Sequence, residues 1–192
     1  MIKNIIFDVG GILFDDSLKN IEKLLHKDCK NIYKKAYGGN FKKCLLGEIS
    51  VQQHIDSLKS EKEYKDIEFI LKKENLYLSY PLIKENYEYI KKLKAKGYQL
   101  YLLTNITEDS YQYIYKKINI SEIFTGGIYS FQEHLIKPDK KIYELLMNRF
   151  CLKKEETVFF DDRKSNVLEA SKCGIKSFLF HSIDDLKKVI EK

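Results

Sequence analysis

The sequence lacks a long apolar run. No stretch reaches the roughly 18 apolar residues that a membrane-spanning helix needs. The opening MIKNIIFDVGG is too short for the apolar centre of a signal peptide, and Asp8 interrupts it. We therefore expect no membrane partner and a cytoplasmic location.

Patterns typical of disulfide-bonded, zinc-binding and nucleic-acid-binding proteins are also missing. The four cysteines are far apart and form no CxxC pair, and the four histidines show no ligand spacing such as HExxH. The net charge of +6 comes mostly from lysines spread along the whole chain, without an arginine cluster. We expect reduced, buried cysteines, a solvated basic surface and no nucleic-acid partner.

What the sequence does contain, from residue 81 onward, is an alternation of helix and strand patterns. A helix begins near Pro81 and stops at Gly97, and it carries apolar residues three or four apart. Short apolar runs predict strands at 2–8, 98–104, 126–130, 157–162 and 175–180, and helical patterns lie at about 107–118, 138–150, 163–173 and 183–191. This alternation predicts an α/β fold with an open, doubly wound parallel sheet.

Residues 15–80 break the alternation. They contain helical patterns, with turn residues at 38–40 and at Gly47, and no convincing strand. A chain of 192 residues is long enough for one compact domain, or for a core with one small insert. We therefore predict an α/β core made of residues 1–14 and 81–192, with residues 15–80 forming a helical cap.

Four strands or the loops after them carry polar groups suited to a phosphate. Each alone has an ordinary explanation as a cap, a turn or a surface residue. An adjacent pair of aspartates is more suggestive, because two carboxylates repel and need a cation or a hydrogen-bond network. Ligands of open parallel sheets collect beyond the carboxyl ends of the strands, so this set in this order predicts a phosphate site. The groups are Asp8 with Val9-Gly10-Gly11, Thr104-Asn105, Lys137-Pro138 and Asp161-Asp162.

These segments resemble the four motifs of the haloacid dehalogenase (HAD) superfamily. The matching stretches are IIFDVGGILFD, LYLLTN, HLIKPDKKIYELL and VFFDDRKSNVLEA. Together with GEIS at 47–50, they are most similar to bacterial sugar-phosphate phosphatases of the α-D-glucose-1-phosphate phosphatase-like group. The resemblance implies a HAD-like Rossmannoid core with a type-1 helical cap after the first strand. It also implies a phosphoric monoester hydrolase that acts on a small phosphorylated substrate as a monomer or homodimer.

The same resemblance implies a nucleophile and a Mg²⁺ site. Asp8 would attack phosphorus and also bind the metal, together with the backbone carbonyl of Gly10 and the carboxylate of Asp162. Asn166 stands where many relatives have a second carboxylate and would act through metal-bound water. Oxygen ligands of this kind suit a hard cation.

The remaining implied roles concern the phosphate group. Thr104 and the amide of Asn105 would hold its oxygens, with Gly10 and Gly11 of the first motif beside them. Lys137 would neutralise charge on the phosphate and on Asp8, and Asp161 would orient Lys137 or a metal-bound water. Such groups position and neutralise the phosphoryl group, which is most of what phosphoryl transfer requires. Tyr33, Tyr37, Phe41 and Lys42 of the cap could face the substrate.

One position departs from the family pattern. Most phosphatases of this superfamily have a second aspartate two residues after the nucleophile, as general acid and base, and here that position is Gly10. Such help is worth about 10²–10⁴-fold, and its loss hurts least for acidic leaving groups such as an anomeric hydroxyl. Two hypotheses follow: a phosphatase, or a catalytically weak or inactive phosphate-binding regulatory or scaffold protein. If another group supplies the proton, Asp15 and Asp16 are the candidates.

Two related chemistries fit the sequence less well. Dehalogenation uses the same nucleophilic aspartate without a metal, so the Asp161-Asp162 pair argues against it. A response-regulator receiver has its acidic pair before its acceptor aspartate, which is the reverse of the order found here.

Overall fold

A computed structural model, which describes residues 1–191, has a five-stranded parallel sheet in the order β3-β2-β1-β4-β5. The strands are β1 (Asn4–Phe7), β2 (Gln99–Thr104), β3 (Gly126–Tyr129), β4 (Thr157–Asp161) and β5 (Lys176–Leu179). The chain runs outward from β1 through β2 to β3 and then crosses back to β4 and β5. The strand order therefore reverses between β1 and β4, which is where ligands bind in such sheets. The predicted α/β, doubly wound parallel sheet is confirmed.

Side chains alternate between the two faces of the sheet, and both faces are buried. Ile5 and Phe7 of β1 join one apolar cluster, whereas Ile6 between them joins another. Burial on both sides explains why these strands are continuous apolar runs. The covering helices are α7 (Lys84–Ala95), α8 (Glu108–Lys117), α9 (Ile120–Ile123), α10 (Ser130–Glu133), α11 (Lys140–Arg149), α12 (Lys164–Lys172) and α13 (Ile183–Ile190).

The segment between β1 and α7 is helical and has an apolar cluster of its own, which includes Ile21, Ile55 and Ile67. Its helices are α1 (Leu18–Leu25), α2 (Lys30–Ala36), α3 (Phe41–Leu45), α4 (Val51–Ser57), α5 (Tyr64–Leu71) and α6 (Leu76–Ser79). The chain leaves the core and returns to it side by side, since Phe14 bridges to Leu82. The division at 14 and 81 lies beside this contact and stays a prediction.

Short helices are the main difference from the sequence patterns. The helical pattern of residues 17–37 is broken between α1 and α2, where His26 adopts a left-handed conformation with φ of 54°. Ser17 and Ser50 cap α1 and α4 by accepting hydrogen bonds from backbone N–H groups of the first turn. Within residues 1–191, no helix has both the length and the apolar character needed to cross a bilayer.

Candidate active site

The carboxyl ends of three neighbouring strands bring the predicted residues together. Asp8 follows β1 directly, Asp161 is the last residue of β4, and Thr104 is the last residue of β2. Since Phe7 and Phe160 are paired in register, Asp8 and Asp161 stand next to each other across the sheet.

Lys137 links the two aspartates. Its Nζ lies 2.6 Å from Oδ2 of Asp161 and 3.0 Å from Oδ1 of Asp8. The lysine side chain is 0% exposed, so both ion pairs are shielded from water. Burial alone would lower the pKa of Lys137, but the two carboxylates outweigh it and hold that pKa above its usual range. The lysine therefore stays charged, as its predicted role requires.

The loop that carries Lys137 is held by Asn105, and Ser130 in turn holds the backbone of the residue next to Asn105. The Asn105 side chain accepts from the Lys137 backbone N–H at 2.8 Å and donates to the Lys137 carbonyl at 2.9 Å. Ser130 Oγ accepts from the Ile106 backbone N–H at 2.9 Å and donates to its carbonyl at 3.2 Å. The side chain of Asn105 thus positions Lys137, which leaves its backbone amide for the phosphate role implied by the family pattern.

Both oxygens of Asp161 already have partners. Oδ2 accepts from Lys137 Nζ, Oδ1 accepts from the Arg163 backbone N–H at 2.8 Å, and the Asn166 amide reaches both at 3.0 and 3.1 Å. A buried carboxylate satisfied in this way is suited to holding Lys137 rather than a metal ion. The Asn166 side-chain N–H₂ points at Asp161, so its contribution to a metal site stays a prediction.

Asp8 and Asp162 remain as carboxylates for a cation. One oxygen from each of Asp8, Asp161 and Asp162 lies within 4.8 Å of the other two, a spacing that a metal ion can bridge. The hydrogen bond from the Val9 backbone N–H, at 2.7 Å, and the ion pair with Lys137 both involve Oδ1 of Asp8. Burial raises the pKa of Asp8 to about 7, against the opposing effect of Lys137 and with the added repulsion of Asp161 and Asp162. Burial also raises the pKa of Asp162, and a hard divalent cation between Asp8 and Asp162 would stabilise their charged forms.

Gly11 permits the close approach of Asp162. Its φ of +67° lies in the left-handed region, and a Cβ built there would stand 2.7 Å from the Asp162 carboxylate. A side chain at residue 11 would therefore strain the backbone and clash with Asp162.

A cavity of about 260 Å³ opens between this sheet edge and the helical segment. Five of the predicted site residues line it, whereas Thr104 and Asp161 are buried behind them, with 1% and 0% exposure. The five are Asp8, Gly10, Asn105, Lys137 and Asn166. Three of the four cap residues that could face the substrate, Tyr33, Tyr37 and Phe41, also line the cavity, and the fourth, Lys42, is exposed.

Two residues outside the four motif positions also belong to the site: Asp16, one of the two candidate proton donors, and Arg163, which the motifs did not predict. Asp16 and Arg163 both line the cavity next to Asp8. Burial raises the pKa of Asp16 to about 6, and repulsion by Asp162 adds to this while the Arg163 guanidinium opposes it. Arg163 directly follows the acidic pair in sequence, which was a usable signal. Nothing in the local pattern set Asp16 apart from Asp15.

Comparison with known proteins identifies the family. The model of the haloacid dehalogenase-like hydrolase family matches residues 5–180, which is nearly the whole chain. The chain belongs to this family of hydrolases.

Relatives of known activity include phosphatases. A phosphorylated carbohydrates phosphatase of Thermotoga maritima is 26% identical over 97% of this chain and 89% of its own length. A sesquiterpene phosphatase (AstK) of Aspergillus oryzae is 28% identical over 53% of this chain and 51% of its own length. Among solved structures, the wild-type HAD family enzyme BT-2542 of Bacteroides thetaiotaomicron, in complex with magnesium and inorganic phosphate, has a TM-score of 0.77. At 20% identity, covering 99% of this chain and 100% of that one, it shows that the fold is shared.

Proposed function

We propose that this protein is a Mg²⁺-dependent phosphatase that hydrolyses a small phosphorylated metabolite, a sugar phosphate, through a phosphoryl-aspartate on Asp8. The observation that carries the proposal is the buried chain Asp8–Lys137–Asp161 at the floor of the cavity. A carboxylate held against a fixed ammonium group is arranged to receive a phosphoryl group and to balance its charge.

The chain's own residues account for most of the chemistry. The Val9 hydrogen bond and the Lys137 ion pair at Oδ1 fix the Asp8 carboxylate, so that its other oxygen can attack phosphorus in line with the leaving group. Lys137, which pairs with Asp8, would neutralise the negative charge on the phosphoryl oxygens, and the backbone amide of Asn105 is at the same strand edge. Burial of Lys137 strengthens these interactions, because little water is present to screen them.

The donor set also fits Mg²⁺. Asp8, Asp162 and the backbone carbonyl of Gly10 would hold the ion, with Asn166 reaching it through water. When bound, it would offset the charge of the phosphate and of the clustered carboxylates.

Sugar phosphates are the substrates that we propose first. The relative from Thermotoga maritima is a phosphatase of phosphorylated carbohydrates. A cavity of about 260 Å³ is near the lower end of ligand pockets and suits a small metabolite. Its rings, Tyr33, Tyr37 and Phe41, give flat surfaces on which a sugar can lie, and Asp109 and Ser110 provide polar partners for hydroxyl groups.

The test is a screen of phosphorylated metabolites with Mg²⁺, including sugar 1-phosphates and 6-phosphates, read by phosphate release. Asp8→Asn should abolish turnover of any substrate found and leave the circular dichroism spectrum unchanged. The matched control is Asp28→Asn, which alters an exposed aspartate far from the cavity and should leave turnover intact. More than a few per cent residual activity in Asp8→Asn would contradict the nucleophile assignment.

The alternative is a phosphate-binding regulatory or scaffold protein of little or no activity. The observation that favours it is the absence of a side chain at residue 10, where most family phosphatases carry the general acid. Binding of inorganic phosphate by the wild-type protein, without turnover anywhere in the screen, would support this alternative.

A further inference from the structure

The space beside Gly10 is filled by another carboxyl group. A Cβ built on Gly10 would stand 2.6 Å from Oδ2 of Asp16 and 3.1 Å from its Cγ. The backbone of Gly10 lies outside the left-handed region, so its conformation would accept a side chain. The Asp16 carboxyl group therefore occupies the place where a side chain of residue 10 would begin.

Asp16 also shares the cavity with the nucleophile. It lines the cavity together with Asp8, Lys137 and Arg163, at the point where the chain leaves the core for the helical segment. The Tyr33 hydroxyl donates to the Asp16 backbone carbonyl at 2.9 Å and ties this residue to α2. Asp16 therefore contacts the loop of the nucleophile through its carboxyl group, at Gly10, and the aromatic side of the cavity through its backbone carbonyl, at Tyr33.

The neighbouring aspartate is placed differently. The Asp15 carboxylate accepts from the Ser17 backbone N–H at 3.0 Å in an exposed turn. Among residues 1–191, the cavity lining includes Asp16 and not Asp15. Two adjacent residues of the same type therefore differ in what they can reach.

We propose that Asp16 is the general acid and base of the reaction, in place of the carboxyl group that residue 10 lacks. The inference rests on the proposed phosphatase function. As the bond between phosphorus and the leaving oxygen breaks, the Asp16 carboxyl gives its proton to that oxygen, and the products are the alcohol and phosphoryl-Asp8. The Asp16 carboxylate then takes a proton from water as the water oxygen attacks phosphorus. This step releases inorganic phosphate and restores the Asp8 carboxylate and the Asp16 carboxyl.

The test compares Asp16→Asn with the matched variant Asp15→Asn over a series of esters, from aryl phosphates to sugar and primary alkyl phosphates, with Mg²⁺. The wild-type kcat/KM should depend little on leaving-group acidity. Asp16→Asn should lose about 10²–10⁴-fold in kcat/KM with alkyl esters and less than about tenfold with aryl esters, which need no proton. Asp15→Asn should keep the wild-type profile.

A second readout follows the covalent intermediate. Because Asp16→Asn also lacks the base for hydrolysis, its kcat with aryl phosphates should fall more than its kcat/KM. Mass spectrometry of the quenched variant should then show a phosphoryl group on Asp8. A purely structural role for Asp16 would change neither the slope of the series nor the fraction of phosphorylated enzyme.

A third variant moves the carboxyl group. Asp16→Ala clears the space beside residue 10, and adding Gly10→Asp supplies a carboxyl group from the other side. With alkyl esters, the kcat/KM of the double variant should be at least tenfold higher than that of Asp16→Ala. Asp16→Asn keeps the proposal testable if the double variant does not fold.

The outcomes separate the two proposals. An unchanged slope in Asp16→Asn with an active wild-type protein would overturn the role of Asp16 and leave the phosphatase function standing. If Asp16→Asn loses Mg²⁺ affinity in calorimetry and loses activity equally across the series, Asp16 is a metal ligand. This outcome would also overturn its role as general acid and base and leave the phosphatase function standing. A wild-type protein without activity on any ester would overturn both.

Discussion

Replacing Lys137 by methionine should strongly destabilise the protein as well as inactivate it. The lysine side chain and that of Asp161 are both 0% exposed, and that of Asp8 is 9% exposed. Methionine fills much of the same volume but leaves two buried carboxylates without their counter-charge. Breaking a buried ion pair by removing one partner costs about 3–5 kcal/mol. That cost is a large part of the roughly 5–15 kcal/mol by which a domain is stable.

The size of the loss should depend on pH. A carboxyl group whose pKa is raised in the folded protein binds its proton more tightly there than in the unfolded chain. The free energy of unfolding therefore falls as the pH rises toward that folded pKa. With Lys137 present, the pKa of Asp8 is about 7; without the lysine it is higher, and the fall continues to higher pH. The difference between the two proteins should thus be larger at pH 8 than at pH 6.

The assay is urea unfolding followed by circular dichroism at both pH values, with linear extrapolation to water. Lys140→Met is the control, because Lys140 pairs with Glu144 on the surface, with side chains 64% and 48% exposed, and its loss should not be measurable. Adding Asp161→Asn to Lys137→Met should recover part of the stability and none of the activity, since one unpaired charge is removed. A loss of less than about 1 kcal/mol in the free energy of unfolding of Lys137→Met would show that the variant does not leave Asp8 and Asp161 buried without a counter-charge.

Two further predictions concern the metal and the loop beside it. Activity should require Mg²⁺, and full activity in excess chelator would contradict this. Asp162→Ala should weaken Mg²⁺ affinity more than Asn166→Ala does, because the Asn166 side chain is hydrogen-bonded to Asp161. Equal Mg²⁺ affinities of the two variants in calorimetry would contradict the second prediction. Gly11→Ala should cost more stability in urea unfolding than Gly39→Ala, which also has a positive φ but no atom within 4 Å of its built Cβ. The shared backbone strain is worth about 1–2 kcal/mol, and equal losses would show that the contact with Asp162 relaxes freely.

The sequence by itself determined the order of strands and helices and the groups at the strand ends. Apolar runs that end in Asp8, Thr104 and Asp161 mark buried parallel strands, and the carboxyl ends of such strands must share one edge. The nearness of these groups thus followed from local pattern and sheet geometry. The breaks in the helical segment could not be predicted from the local pattern. The helices α1 and α2 are short, and packing on α5 and α6 stabilises them more than their helix propensity does.

Only the tertiary structure decided which of two adjacent aspartates enters the cavity. Asp15 and Asp16 have the same side chain and nearly the same sequence context, but one turns to an exposed backbone N–H and the other to the space beside Gly10. The clamp of Asn105 on Lys137 likewise joins residues 32 apart. Such contacts depend on how the loops fold over the sheet edge, and no periodicity in the chain encodes them, because they are set by packing and by the satisfaction of buried polar groups.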